Sequence, residues 1–191
     1  MEDYENIFKG KVEPLRLQFA DAKNLLMAGL RHFIGDDAQW LQGYDDIAQW
    51  MTDNQRKGLL LSGTNGRGKS VICRDILPML VEHCYSSVRI FISRGCELRS
   101  VVNDHDWYMK LLCARVVFID DFGTETLASI YGEKHDVFSE IVDLAEQERQ
   151  ILIATTNMGY DEIGERYGVR TLDRLKSLTR AYSLYGDSMR K

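Results

Sequence analysis

The chain has 191 residues, enough for one well-packed domain of the usual size, roughly 100–200 residues, and too few for a second full one. Hydrophobic residues make up 45% and charged residues 28%, with two prolines, which excludes wholesale disorder. A net charge of -5 argues against bulk attraction to nucleic acid but not against a local basic face.

No run approaches the roughly 20 apolar residues that span a bilayer. The opening Met1-Glu2-Asp3-Tyr4-Glu5 lacks the basic and apolar regions of a signal peptide, so a cytoplasmic location is expected. Residues before Lys11 are charged and are expected to fray. Pro14 predicts a helix start, with Leu17, Leu25, Leu26, Leu30 and Phe33 facing a core and Gly35 as the stop. A second short helix is expected from Tyr44 to Met51. From Gly58 the pattern changes to short apolar runs separated by helical segments. The runs are Gly58-Leu59-Leu60-Leu61, Val88-Arg89-Ile90-Phe91-Ile92, Val116-Val117-Phe118-Ile119, Ile151-Leu152-Ile153-Ala154 and Ala181-Tyr182-Ser183-Leu184-Tyr185. Runs apolar on both faces belong to a parallel sheet covered by crossover helices, so the expected fold class is α/β, a five-stranded parallel sheet sandwiched by helices. No repeat or linker marks an internal boundary. Pro78, inside the helix expected after Ser70, should kink or shorten it. Cys73, Cys84, Cys96 and Cys113 form no CxxC pair and sit among apolar neighbours, which predicts reduced, buried thiols rather than a metal site.

The octapeptide Gly63-Thr64-Asn65-Gly66-Arg67-Gly68-Lys69-Ser70 fits G-x-x-x-x-G-K-[ST] between a strand-like and a helix-like run, the context a P-loop requires. Its glycines let backbone N–H groups converge on phosphates, and the helix entered through Val71 adds its positive end. Lys69 is the candidate contact to the β- and γ-phosphates of ATP, and Ser70 the candidate Mg²⁺ ligand. Asp120 and Asp121 end a buried strand, where ligands of parallel sheets gather. Asp120 is the candidate direct or second-layer Mg²⁺ group and Asp121 the candidate base that orients water; a solvated turn after an ordinary strand is the alternative. Asn157 ends another buried strand and could hold the lytic water or the γ-phosphate by its amide, or cap the next turn. Toward the terminus Arg166, Arg170, Arg174, Lys176, Arg180, Arg190 and Lys191 outnumber Asp173 and Asp187, whereas acids dominate the opening segment. That polarity allows weak binding of DNA, or a solvated surface.

In this order the elements resemble the AAA+ ATPases, and within them the DnaC-like helicase loaders and IstB-like transposition ATPases. The resemblance runs from about Leu25 to the end. It rests on the P-loop, Asp120-Asp121-Phe122-Gly123-Thr124-Glu125, Thr155-Thr156-Asn157, Tyr167-Gly168-Val169-Arg170-Thr171-Leu172-Asp173-Arg174-Leu175 and the closing Gly186-Asp187-Ser188-Met189-Arg190. It implies a P-loop NTPase of the AAA+ type without a C-terminal lid, an N-terminal helical extension over residues 1–40 as candidate partner-binding segment, and an ATPase core over residues 41–191. By the resemblance Arg170 looks like an arginine finger that reaches the γ-phosphate in a neighbouring subunit, with Arg174 in the same box; pairing of Arg170 with Asp173 or Glu165 is the alternative. Loaders of this type carry a helicase-binding domain ahead of the core, for which only some 20 to 50 residues are expected to be available here. The implied role is an ATP-hydrolysing, ATP-dependent oligomer that loads or remodels a replicative helicase on DNA, with single-stranded DNA the expected form, bound weakly by the monomer. A transposition accessory ATPase that recruits a transposase is the alternative role. A small-molecule kinase would need an acceptor pocket and a lid, and the sequence signals neither.

Overall fold

The computed structural model describes residues 13–98, 104–125, 128–130 and 133–186. Its strands, in chain order, are β1 (Gly58–Gly63), β2 (Ile90–Arg94), β3 (Val116–Phe122), β4 (Ala128–Ile130), β5 (Glu133–His135), β6 (Ile151–Thr156) and β7 (Thr179–Leu184). Five of them form one parallel sheet in the order β2-β3-β6-β1-β7, while β4 and β5 pair as a separate antiparallel hairpin. The helices are α1 (Ala22–Ile34), α2 (Tyr44–Thr52), α3 (Leu77–Cys84), α4 (His105–Cys113), α5 (Val137–Gln147), α6 (Tyr160–Tyr167) and α7 (Val169–Leu178).

Side chains alternate across a strand, so a strand covered on both faces must be apolar throughout. Leu59 and Leu61 of β1, Phe118 of β3 and Ile153 of β6 enter one core with α1, α2 and α3. Leu60, Val117, Ile119 and Leu152 enter the other with α5, α6 and α7. Leu17, Phe19, Leu26 and Leu30 belong to the first core, so the segment ahead of β1 packs on the sheet itself. No helix follows β7 among the described residues, and none of the described helices is long and apolar enough to cross a membrane. Residues before Lys11, the segment from Asp187 through Arg190, and Lys191 lie outside the described residues.

The helix expected from Pro14 does not form; helix begins only at Ala22, and residues 13–19 take no regular secondary structure. The cause is a distant partner. Leu17 N–H donates to Asn54 Oδ1 at 2.8 Å, and Phe19 N–H to the Met51 carbonyl at 2.9 Å, so these donors serve the end of α2 instead of a helix. Leu17 is still buried, but Phe33, expected in the core, is 40% exposed near the end of α1. Gly35 stops α1 as expected, with φ 101°.

Pro78 acts through helical register. Residues Val71–Ile76 wind as a π-helix that runs without a break into α3, and Pro78, with no N–H to donate, stands just past the change of winding. The expectation of four buried thiols holds only for Cys73; Cys84 at the end of α3 and Cys96 in the turn after β2 are exposed, and Cys113 is half-buried. Apolar neighbours in sequence do not bury a residue that ends a helix or sits in a turn.

Asn54 is fully buried and closes the N-terminal strap from all sides. Its Oδ1 accepts from Leu17 and Arg56 N–H at 2.8 and 3.0 Å, and its Nδ2 donates to the Leu15 and Lys57 carbonyls at 3.4 and 3.1 Å. Asn54→Ala strands these backbone groups and should cost about 2–3 kcal/mol in urea unfolding. A loss under about 0.5 kcal/mol, the scale of an ordinary surface change, would contradict this role.

Candidate functional site

The carboxyl ends of β1, β3 and β6 meet at a cleft of about 840 Å³, a volume within the ordinary range for small-molecule sites. It is lined by 65–71 of the glycine-rich loop together with Ile34, Asp37, Asp121, Thr124 and Asn157. The loop leaves β1 at Gly63, whose φ of 121° and contact with β7 exclude any side chain: a Cβ there would lie 2.2 Å from the Leu184 carbonyl oxygen. Thr64 fixes the turn to the end of β7, its N–H donating to Leu184 O at 3.1 Å and its hydroxyl to Gly186 O at 2.8 Å.

On the other side the loop rests on α2. The Tyr44 hydroxyl donates to the Arg67 carbonyl at 3.0 Å, and a Cβ at Gly68, φ 77°, would come within 2.5 Å of that hydroxyl. Asn65, Gly66, Arg67, Ser70 and Val71 all border the cleft. Helix begins at Lys69 and Ser70, so the loop and the N-terminal end of the helix border the same volume, the arrangement that receives phosphate oxygens.

Lys69 is 6% exposed. Its ammonium donates to the Gly63 and Thr64 carbonyls, both at 2.8 Å, and to Asn157 Oδ1 at 2.9 Å. The other end of the same amide, Asn157 Nδ2, donates to Asp121 Oδ1 at 2.9 Å. The chemistry fixes the orientation of this amide, because only its oxygen can accept from an ammonium and only its NH₂ can donate to a carboxylate. Asn157 therefore joins the cation of the loop to the acid of β3.

Asp120 and Asp121 are held differently. A register shift in the β3–β6 pairing between Ile119 and Phe122, with Asp121 at φ 57°, turns Asp121 into the cleft. Asp120 is 4% exposed and accepts from the Thr155 hydroxyl at 2.7 Å; Thr155 in turn accepts the Asp121 N–H at 2.8 Å. Arg74 Nη1 lies 3.8 Å from Asp120 Oδ2. Beneath the site, burial first and the Asp120 and Asp75 charges second hold the Cys73 thiol well above its ordinary range, so it stays protonated.

Neither C-terminal arginine lines this cleft. Arg170, in the first turn of α7, has a side chain 77% exposed and lies 3.9 Å from Asp143 Oδ2 of α5 rather than beside Asp173 or Glu165. Arg174 is ion-paired with Asp143 and with Glu146 at 2.8 Å. Arg166 pairs with Glu125, Arg180 donates to Gln55, and Lys176 lies 4.8 Å over the Tyr160 ring. The sequence assigned no site role to Tyr44, to Arg74, or to Glu125, which entered only as the last residue of the motif after β3. Arg74 alone left a local signal, since it stands four residues after Ser70 and so on the same helical face.

The residues present fit a Mg-nucleotide. Two glycines of the loop admit no Cβ, a buried ammonium donates to three neutral oxygens, and Asp120, a hard oxygen donor, is buried beside Arg74 of the helix that follows the loop. Burial pushes the Tyr44 hydroxyl up to about 12 from its ordinary 10. The folded state holds that proton more tightly than the unfolded chain, so the contribution of Tyr44 to stability is complete below pH 10 and is lost as pH rises toward 12. Tyr44→Phe should flatten the fall of stability across that interval in alkaline unfolding titrations; an unchanged slope would contradict the assignment.

No protein-family model matches the sequence, and no curated protein matches it. Solved structures do match the fold. The chain is similar to the DnaC helicase loader, with 16% identity over 87% of this chain and 92% of that one and a TM-score of 0.54. It is similar to DnaI, with 20% identity over 90% and 86% and a TM-score of 0.56. It is also similar to AMPPCP-bound DnaA from Aquifex aeolicus, with 11% identity, 78% of this chain, 49% of that chain and a TM-score of 0.59. By fold, then, the chain is an α/β domain built on a five-stranded parallel sheet, an architecture similar to that of these proteins.

Proposed function

We propose that the chain binds and hydrolyses Mg-ATP and acts as a loader or remodeller of a replicative helicase, with its catalytic site completed between copies. The observation that carries the ATPase reading is the bridge from Lys69 through Asn157 to Asp121, which joins a phosphate-binding cation to a carboxylate in the same cleft. Lys69 is held ahead of substrate by two carbonyls and an amide, so its charge is already in place for the β- and γ-phosphates. Ser70 and Asp120 would hold Mg²⁺, which when bound neutralises charge on those phosphates. Asp121 orients the attacking water and takes its proton, and Asn157 keeps that carboxylate aimed at the cleft.

Arg170 supports a shared site because it is exposed at the carboxyl-end side of the fold yet absent from its own cleft. A guanidinium presented by a neighbour would stabilise charge spreading over the γ-phosphoryl group and tie hydrolysis to assembly. Arg174, paired with Asp143 and Glu146, would then hold the α7 surface that carries it. The helicase role is supported by likeness of fold to a helicase loader. DNA contact is proposed only for the assembly, since Arg166, Arg174 and Arg180 already bond to partners in the chain and an assembly multiplies weak phosphate contacts.

Asp121→Asn should keep Mg-ATP affinity and slow turnover by about 100-fold or more, because an amide cannot take the proton. Turnover at the wild-type rate would move the base role elsewhere. The shared site is tested by mixing Arg170→Ala with Lys69→Ala. Each is expected to be inactive alone, while mixed assemblies set the intact Arg170 of one against the intact loop of the other. Recovery of ATPase on mixing supports the proposal, and full activity of Arg170→Ala by itself ends it.

A further inference from the structure

We infer that Glu125 is a positioning residue that ties the Asp121 loop to the α6–α7 corner of the same chain. The inference rests on the ATPase reading above, with Asp121 as the base and Arg170 as the group offered to a neighbour.

The end of β3 needs outside support, since Asp121, a non-glycine residue, has φ in the left-handed region, 57°, before the chain turns at Gly123. Glu125 supplies it. The residue is 7% exposed, and its two carboxylate oxygens take different donors: Oε2 accepts the Gly123 N–H at 2.7 Å, and Oε1 accepts the Tyr167 hydroxyl. Arg166 donates to the Glu125 carbonyl and lies 3.9 Å from Oε1. Thr124 closes the loop from within, its hydroxyl donating to the Asp121 carbonyl at 2.8 Å. One carboxylate thus joins the backbone two residues past Asp121 to the last turn of α6.

That turn cannot shift independently. The Tyr167 ring packs against Phe122 and Phe138, with centroids 5.9 and 5.1 Å away, and Phe122 directly follows Asp121. Beyond Tyr167 the chain turns at Gly168, φ 85°, and enters α7, whose first turn carries Arg170. Displacement of Arg170 by a neighbouring copy is therefore passed through Tyr167 and Glu125 to the loop that aims Asp121. A buried carboxylate is costly unless it is bonded, and here both of its oxygens are engaged in this one connection.

Two conservative variants test it. Tyr167→Phe keeps the ring and its packing and removes only the donor; Glu125→Gln keeps the shape and leaves one acceptor oxygen for two donors. Each should lower kcat about tenfold, the scale of one lost bond to a charged acceptor felt only in the reactive geometry, with KM for ATP and calorimetric affinity unchanged. The double variant should be no slower than Glu125→Gln, since both break the same tether. Wild-type kcat in both single variants, a rise in KM with kcat unchanged, or additive losses would overturn the inference. A wild-type protein that binds no ATP would remove the ATPase reading itself, whereas normal binding and hydrolysis with fully active variants removes only the role of Glu125.

Discussion

A buried ammonium must be surrounded by acceptors, and the structure is organised around meeting that demand at Lys69. Two acceptors are carbonyls of the loop itself and the third is Asn157, which directly follows β6, the central strand of the sheet. The loop can turn its carbonyls inward only because Gly63 passes close against β7 and Gly68 against Tyr44. β6 can deliver Asn157 only because it lies between β3 and β1 in the sheet, which brings the loop, Asp121 and the amide to one edge. Strand order and site chemistry are thus one constraint.

The second layer of the site is made of hydroxyls. Thr155 accepts from the Asp121 backbone while donating to the Asp120 side chain, and Thr156 donates to the Phe122 carbonyl at 2.8 Å where the strand pairing is irregular. A break in a ladder leaves backbone groups that need partners, and threonines on the neighbouring strand provide them without bringing charge into the core. This lets two adjacent acids occupy different surroundings, one turned to the cleft and one buried beside Arg74.

The sheet was legible in the sequence because burial on both faces removes polar alternation, leaving runs such as Val116-Val117-Phe118-Ile119 that fit little else. Their ends were less legible: β2 begins at Ile90 rather than Val88, and β7 at Thr179 rather than Ala181. The loop from Gly63 to Ser70 was readable because its chemistry is local. What escaped depends on contacts distant in sequence. Pro14 carries a helix-start signal, yet Asn54, 37 positions beyond Leu17, takes the donor that a helix would need. Glu125 and Tyr167 are 42 positions apart, and neither residue type announces the bond between them. The same holds for Tyr44, whose hydroxyl meets the loop from 23 positions away.

The account stands on Lys69 as the charge that receives the phosphates, and isothermal calorimetry of Mg-ATP binding tests it most directly. The wild-type chain should bind one nucleotide per chain, and Lys69→Ala should show no binding at the same concentrations while unfolding as cooperatively as the wild type. Tight binding by Lys69→Ala, or none by the folded wild type, would contradict the account.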